Sequence, residues 1–264
     1  MIHVLSSLQV VGSDQICLHE DHEPGRLQVT CKAMTDQGVL LHPPLAKRMR
    51  DGRYLILDGA HRSAAMRQIG CRYLPVQVVD DSRYQLTAWD HLVPIGTWLY
   101  WLQHDAAFDW QGEPLDIRHL AEMIYPSGKR LFVYPSGSDA DTAASLSLWH
   151  RLVRAYSSKY PVKRVPQDLP DLPEEGMVRL CYPAFPIEHI EEIVAAGQVM
   201  PAGVTRFLIN GRLLNLRIPL SLFTSSHFPV QEWENYLRHW ENSLRLYAEP
   251  VYLNEKEFAE VAQV

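Results

Sequence analysis

The chain has 264 residues, 47% of them hydrophobic, which is enough for a sizeable core in one large domain or two small ones. A formal net charge of -6 excludes a chain-wide basic footprint for nucleic acid, and a charged fraction of 21% excludes wholesale disorder. No Cys pair among Cys17, Cys31, Cys71 and Cys181 has C-x-x-C spacing, so buried free thiols in a reducing compartment are expected. Neither a signal peptide nor an apolar run near the ~20 residues of a bilayer span is visible, and the chain reads as cytoplasmic and soluble.

In chain order, Leu8 to Val11 and Ile16 to Leu18 read as short strands around a Gly12-Ser13-Asp14 turn. His19 to Glu23 is a polar loop, and Pro24 is well placed to start a helix running to about Met34. An extended segment follows at Val39 to Pro44, then a buried strand at Tyr54 to Leu57. The pattern then predicts a helix from Ala60 to Ile69, closed by Gly70, and a strand at Leu74 to Val79. Further on come a strand at Tyr84 to Trp89, a helix at Ile95 to Gln103 and an irregular stretch from Asp105 to Pro114. That stretch suggests a boundary, with one domain over 1–105 and a second α+β domain over 106–264.

In the second half, Ile117 to Tyr125 and Leu131 to Tyr134 flank the hairpin signal Pro126-Ser127-Gly128-Lys129. Helices are expected at Asp141 to Ser157, Ile187 to Ala195 and Val230 to Leu246, with a proline-rich loop over Pro161 to Pro173. Asn210-Gly211, between Thr205 to Ile209 and Leu213 to Ile218, carries the strongest hairpin signal of the chain. A last strand is expected at Val251 to Leu253. The class is α+β, with a mixed sheet in the first half.

The chemistry concentrates at Asp58-Gly59-Ala60-His61-Arg62. A strand ends at Asp58, Gly59 permits a tight turn and a helix begins at once. N–H groups at a helix start lack internal partners, which makes such a turn a ready anion site. Basic residues there are unfavourable without an anion, so His61 and Arg62 suggest an anionic partner. The plain alternative is that Asp58 caps the helix and pairs with Arg62.

The run Tyr54 to Gly70 around that motif resembles the signature of the ParB/sulfiredoxin-like superfamily. Sulfiredoxins carry a catalytic cysteine where this chain has Ala60, and the Arg-rich loop and helix-turn-helix of ParB proteins are not recognisable here. Other segments are similar to motifs of the free L-serine kinases. They are His19-Glu20 with Glu23-Pro24, Arg26-Leu27, His42-Pro43, Trp89, His91 with Val93-Pro94, and Pro201-Ala202-Gly203-Val204-Thr205-Arg206-Phe207. The resemblance runs from about Leu8 to Leu253 and is strongest to the kinases of staphyloferrin B-type siderophore biosynthesis.

That resemblance implies a ParB/sulfiredoxin-like mixed-sheet N-terminal domain that binds nucleotide, and phosphoryl transfer from ATP or ADP to free L-serine. It implies Glu20 as general base and Asp58 as a second catalytic residue at the nucleotide, either orienting the serine hydroxyl or helping to hold Mg2+. Gly59, Ala60, His61 and Arg62 would bind phosphates, with Trp89 and His91 in the nucleotide pocket. Thr205 and Arg206 would receive serine beside Glu20, with Arg26 a further candidate. A downstream enzyme that consumes phosphoserine is the implied partner, and the acidic charge argues against DNA. For Trp89 simple core packing is an equal alternative. The competing reading of the whole chain is a nucleotide-dependent, ParB-like regulatory or DNA-binding module. The twelve histidines form no defined metal cluster by spacing.

Overall fold

The computed structural model describes residues 4–22, 24–137 and 142–246. The chain forms two units, one to residue 228 and one from residue 229.

In the first unit, chain order begins with β1 (Leu8–Gly12), β2 (Ile16–Leu18), α1 (Pro24–Gln37), β3 (Val39–Leu40), β4 (Leu45–Arg48) and β5 (Tyr54–Asp58). Next come α2 (Ala60–Ile69), β6 (Tyr73–Val78), β7 (Tyr84–Pro94), α3 (Thr97–Gln103) and β8 (Phe108–Gln111). Then follow β9 (Ala121–Ile124), β10 (Arg130–Pro135), α4 (Thr142–Ser157), β11 (Lys163–Pro166) and β12 (Met177–Cys181). The unit ends with α5 (Ile187–Ala195), β13 (Thr205–Ile209), β14 (Ile218–Pro219) and α6 (Ser221–Thr224). The described part of the second unit is the helix α7 (Val230–Ser243), where Trp233 and Trp240 sit with ring centroids 5.6 Å apart. The strand expected at Val251 to Leu253 lies outside the described residues.

Two sheets organise the first unit. The five-stranded sheet has the order β1-β6-β4-β5-β2 and is mixed. β2 runs parallel to β5 in the register Ile16↔Tyr54 to Leu18↔Ile56, so both strands deliver their C-terminal ends to the same edge. The central parts of β5 and β6 are apolar and fully buried, at Leu55, Ile56, Leu74 and Val76. The second sheet has the order β11-β7-β12-β9-β10-β8, with β13 also on β7. The change from one sheet to the other falls in sequence between β6 and β7, upstream of residue 105.

The local signals place most elements. The Pro126 to Lys129 turn joins β9 to β10 in antiparallel register, Ile124 opposite Arg130. Gly70 closes α2 in a left-handed conformation (φ 92°), its N–H bonded to the carbonyl of Arg67.

Four readings need correction, one being the loop expected over Pro161 to Pro173, which contains β11. β7 does not stop at Trp89 but continues to Pro94, because its polar residues Asp90 and His91 are buried among partners from distant strands. The stretch read as irregular around Asp105 contains β8. Asn210-Gly211 does not make a hairpin: β13 pairs with β7 in the register Thr205↔Ala88, and β14 pairs with β3. The buried side chain of Gln77 captures the chain after the turn, its amide bonded to the carbonyl of Gly211 and the N–H of Leu213, both at 2.8 Å. Burial of Leu213 and Leu216 then favours this path over strand pairing.

Candidate active site

The site begins where β2 and β5 end side by side. Open sheets bind ligands outside the carboxyl ends of their parallel strands, and here those ends lead into the His19 to His22 loop and the Asp58-Gly59 turn. The two segments meet: the rings of His22 and His61 are 6.2 Å apart, edge to face. Gly59 adopts φ 97°, which an L side chain rarely tolerates, and α2 starts from it without a side-chain cap. Gly59, having no side chain, offers no side-chain cap to the first turn of α2. Ala60 is buried and His61 half-buried.

Asp58 is not a cap. Its Oδ2 accepts hydrogen bonds from Arg62 at 3.1 Å and from Arg212 at 2.6 Å. Burial works against the charge, but the two guanidiniums and the Gly59 N–H outweigh it and hold the carboxyl below the usual carboxylate range. Arg62 also donates to the carbonyls of His42 at 2.6 Å and Pro43 at 3.2 Å. It therefore braces the His42-Pro43 segment against the turn. Of the alternatives drawn from the sequence, the pairing of Asp58 with Arg62 is present, while the cap at α2 is Gly59 rather than Asp58.

Glu20 is fixed differently. Its Oε2 accepts the N–H of Gly203 at 2.8 Å, with the His19 ring 3.9 Å away. Around it the chain adds a bridge to Met200: Asp21 N–H donates to the Met200 carbonyl at 2.9 Å, and Met200 N–H to the His19 carbonyl at 2.8 Å. Gly203 is a hub. It has φ 75°, and a Cβ there would collide with the guanidinium of Arg164. Its carbonyl accepts from His91 Nε2 at 2.8 Å, so His91 Nδ1 is left to accept the Tyr156 hydroxyl at 2.6 Å. Tyr156 in turn meets Tyr182 at 2.5 Å.

His91 is buried with both ring nitrogens engaged, and burial pushes its pKa down to about 4. A direct contact between His91 and nucleotide does not fit this geometry. The residue instead positions Gly203, and through it Glu20. Thr205 is also turned inward: with His19 Nδ1 on the Ile56 carbonyl at 2.5 Å, His19 Nε2 takes the Thr205 hydroxyl at 2.6 Å. His19 thus rivets β5 to β13. Arg206 lies over the half-buried Trp89, guanidinium carbon 4.3 Å from the ring centroid, so the two predicted residues form one cation–π pair. Arg26 is exposed on α1. Sequence reasoning missed Arg212 and Gln77, and it quoted His19 only as part of a motif. The roles of all three depend on contacts across more than a hundred residues.

No cluster of three or more His, Cys, Asp or Glu able to hold a metal ion occurs among the described residues. No helix among them is long and apolar enough to cross a membrane. A cleft of about 410 Å³ lies between α3 and α4, lined by residues that include Trp98, Trp101 and Arg154, apart from Glu20 and Asp58.

No family model matches the chain. The ATP-dependent L-serine kinase SbnI of Staphylococcus aureus is 32% identical over 259 residues, which span 97% of this chain and the whole of that protein. The chain belongs to the SbnI family. The solved structure of C-terminally truncated SbnI from the same organism superposes with a TM-score of 0.81 at 31% identity, covering 92% of this chain and 99% of that one. An ATP-dependent L-serine kinase of Staphylothermus marinus matches this SbnI-family chain over 83 residues at 29% identity, 30% of this chain and 33% of that protein. A free serine kinase in complex with AMP shares the fold at TM-score 0.65 and 16% identity, over 81% and 92% of the two chains.

Proposed function

We infer that this SbnI-family protein is a kinase that transfers a phosphoryl group from ATP to the hydroxyl of free L-serine, giving O-phospho-L-serine. The observation that carries this reading is 32% identity to an ATP-dependent L-serine kinase over 97% of the chain, joined to a carboxylate loop that meets a turn capped by glycine.

The transfer needs three things from the protein. A phosphate grip comes from the Gly59-Ala60-His61 turn, where helix N–H groups face the phosphate chain. A base comes from Glu20: the bond from serine Oγ to phosphorus forms as the bond from phosphorus to the β,γ-bridging oxygen breaks. The hydroxyl proton passes to the Glu20 carboxylate, and ADP leaves with the electron pair. A substrate clamp comes from Arg206, whose guanidinium on Trp89 is suited to pair with the serine carboxylate. Thr205 and His91 act behind this surface, and Arg26 is the outermost candidate.

Mg2+ fits the donor set, since it takes one or two carboxylates beside phosphate oxygens and keeps several waters; Asp58 would hold it. When bound it would neutralise phosphate charge. A ParB/sulfiredoxin-like N-terminal domain, a cytoplasmic setting and a phosphoserine-consuming enzyme of siderophore synthesis as the next step belong to the same reading.

The test is direct. Purified protein with Mg2+, L-serine and either ATP or ADP should yield O-phosphoserine, read by mass spectrometry, with ATP as the productive donor. Nucleotide binding without phosphoserine from either donor would favour the regulatory-module reading.

A further inference from the structure

Arg212 gains a role that rests on the kinase reading above. Asp58 carries one negative charge and is spanned by two guanidiniums, beside a helix start that is itself electropositive. The pair of arginines leaves a net positive charge on the phosphate side of the turn. The two cations are held unequally. Arg62 is tied to two main-chain carbonyls as well as to Asp58, so it belongs to the scaffold. Arg212 has Asp58 as its partner, and about a third of its side chain is exposed.

The backbone presents Arg212 firmly. Gln77 is fully buried on β6, and its amide engages the residues flanking Arg212 through both its oxygen and its nitrogen. The main chain at 211 and 213 is therefore pinned, and only the side chain of 212 remains free to move. The loop beyond it is held too: Asn215 N–H donates to His42 Nδ1 at 2.8 Å, and Asn215 and Arg217 adopt left-handed backbone conformations. A buried amide and two strained residues are more than an arginine needs if it merely decorates the surface.

We propose that Arg212 is a phosphate-binding residue of the transfer site, parked on Asp58 until the nucleotide arrives and then shared with the terminal phosphates of the donor. Its fork matches phosphate oxygens, and its departure leaves Asp58 still paired with Arg62.

The experiment uses the full-length protein, with Arg212→Ala and Arg212→Lys compared with the unsubstituted chain. Isothermal titration would measure ADP and AMP, and phosphoserine formation would give kcat and KM for ATP and serine. The expected result for Arg212→Ala is a loss of ADP affinity on the order of 10- to 100-fold, with AMP changed less than about threefold. The KM for ATP should rise with that of serine little changed, and Arg212→Lys should recover part of the loss. Equal weakening of ADP and AMP, or unchanged ATP kinetics, would overturn the proposal. Thermal unfolding without nucleotide separates a structural latch: a fall in stability with ADP affinity intact would also overturn it. Failure of the unsubstituted protein to make phosphoserine would instead sink the kinase reading itself.

Discussion

The loop of Glu20 and the turn of Asp58 leave neighbouring parallel strands at the same edge, yet their carboxylates live in opposite surroundings. Asp58 is gripped by two guanidiniums, which keep it ionised. Glu20 is oriented by a main-chain N–H, that of Gly203. The contrast teaches a division of labour. A carboxylate locked to cations is a poor proton acceptor but a good organiser of phosphate-binding charge. One held by a neutral donor keeps an oxygen available for a proton.

The contrast can be broken by exchanging the roles. Glu20→Gln keeps the shape and the bond from Gly203 but removes the proposed base. Phosphoserine formation should fall by roughly 100- to 10,000-fold while ADP affinity, measured by calorimetry, stays within about threefold. Activity close to that of the unsubstituted enzyme would remove Glu20 from the mechanism. Asp58→Asn should act on the other side of the comparison. It leaves two guanidiniums facing a neutral amide, and kcat/KM for ATP should drop about 100-fold.

Asp58 also sharpens the contrast through pH. Its folded pKa lies below the unfolded value, so its stabilisation is full above about pH 4, the unfolded range, and is lost as pH falls through the lower folded value. Denaturant titrations should show Asp58→Asn losing less stability than the parent below about pH 4.

His91 acts at milder pH. A buried histidine whose pKa is lowered to about 4 disfavours the folded state once the unfolded chain takes up the proton. Stability should therefore decline by up to about 1.4 kcal/mol per pH unit between about pH 6.5 and 4. His91→Gln should flatten that slope, and an unchanged slope would argue that another group carries it. Arg206→Ala is the smallest in stability, about 0.5–1 kcal/mol for the lost contact with Trp89, but should raise the KM for serine about tenfold or more.

Much of the first sheet was legible because its signals are local. The apolar run to Leu57, the Asp58-Gly59 turn and the Gly70 closure lie close together in the chain, and the fold uses each as its chemistry suggests. The second half was harder. β12 contains Arg179, buried beside Asp90 and bonded to the carbonyls of Leu169 and Asp171, so it lacks the pattern of an ordinary strand. Asn210-Gly211 is a sound hairpin signal that a distant Gln77 overrides. His91 carried a motif but not its direction: only the tertiary structure places it behind Gly203. Arg212 had no local mark at all, since its meaning comes from Asp58, 154 residues away.

The bond from Gly203 to Glu20 joins residues 183 apart in sequence. Closing so long a loop carries an entropic cost that local structure does not offset. A chain interrupted before Gly203 lacks the main-chain anchor of Glu20. Such a fragment would lack both the hold on Glu20 and the Arg212 guanidinium at Asp58. Phosphoryl transfer is then a property of the finished molecule, and catalytic competence doubles as a readout that synthesis has passed the last strand of the second sheet.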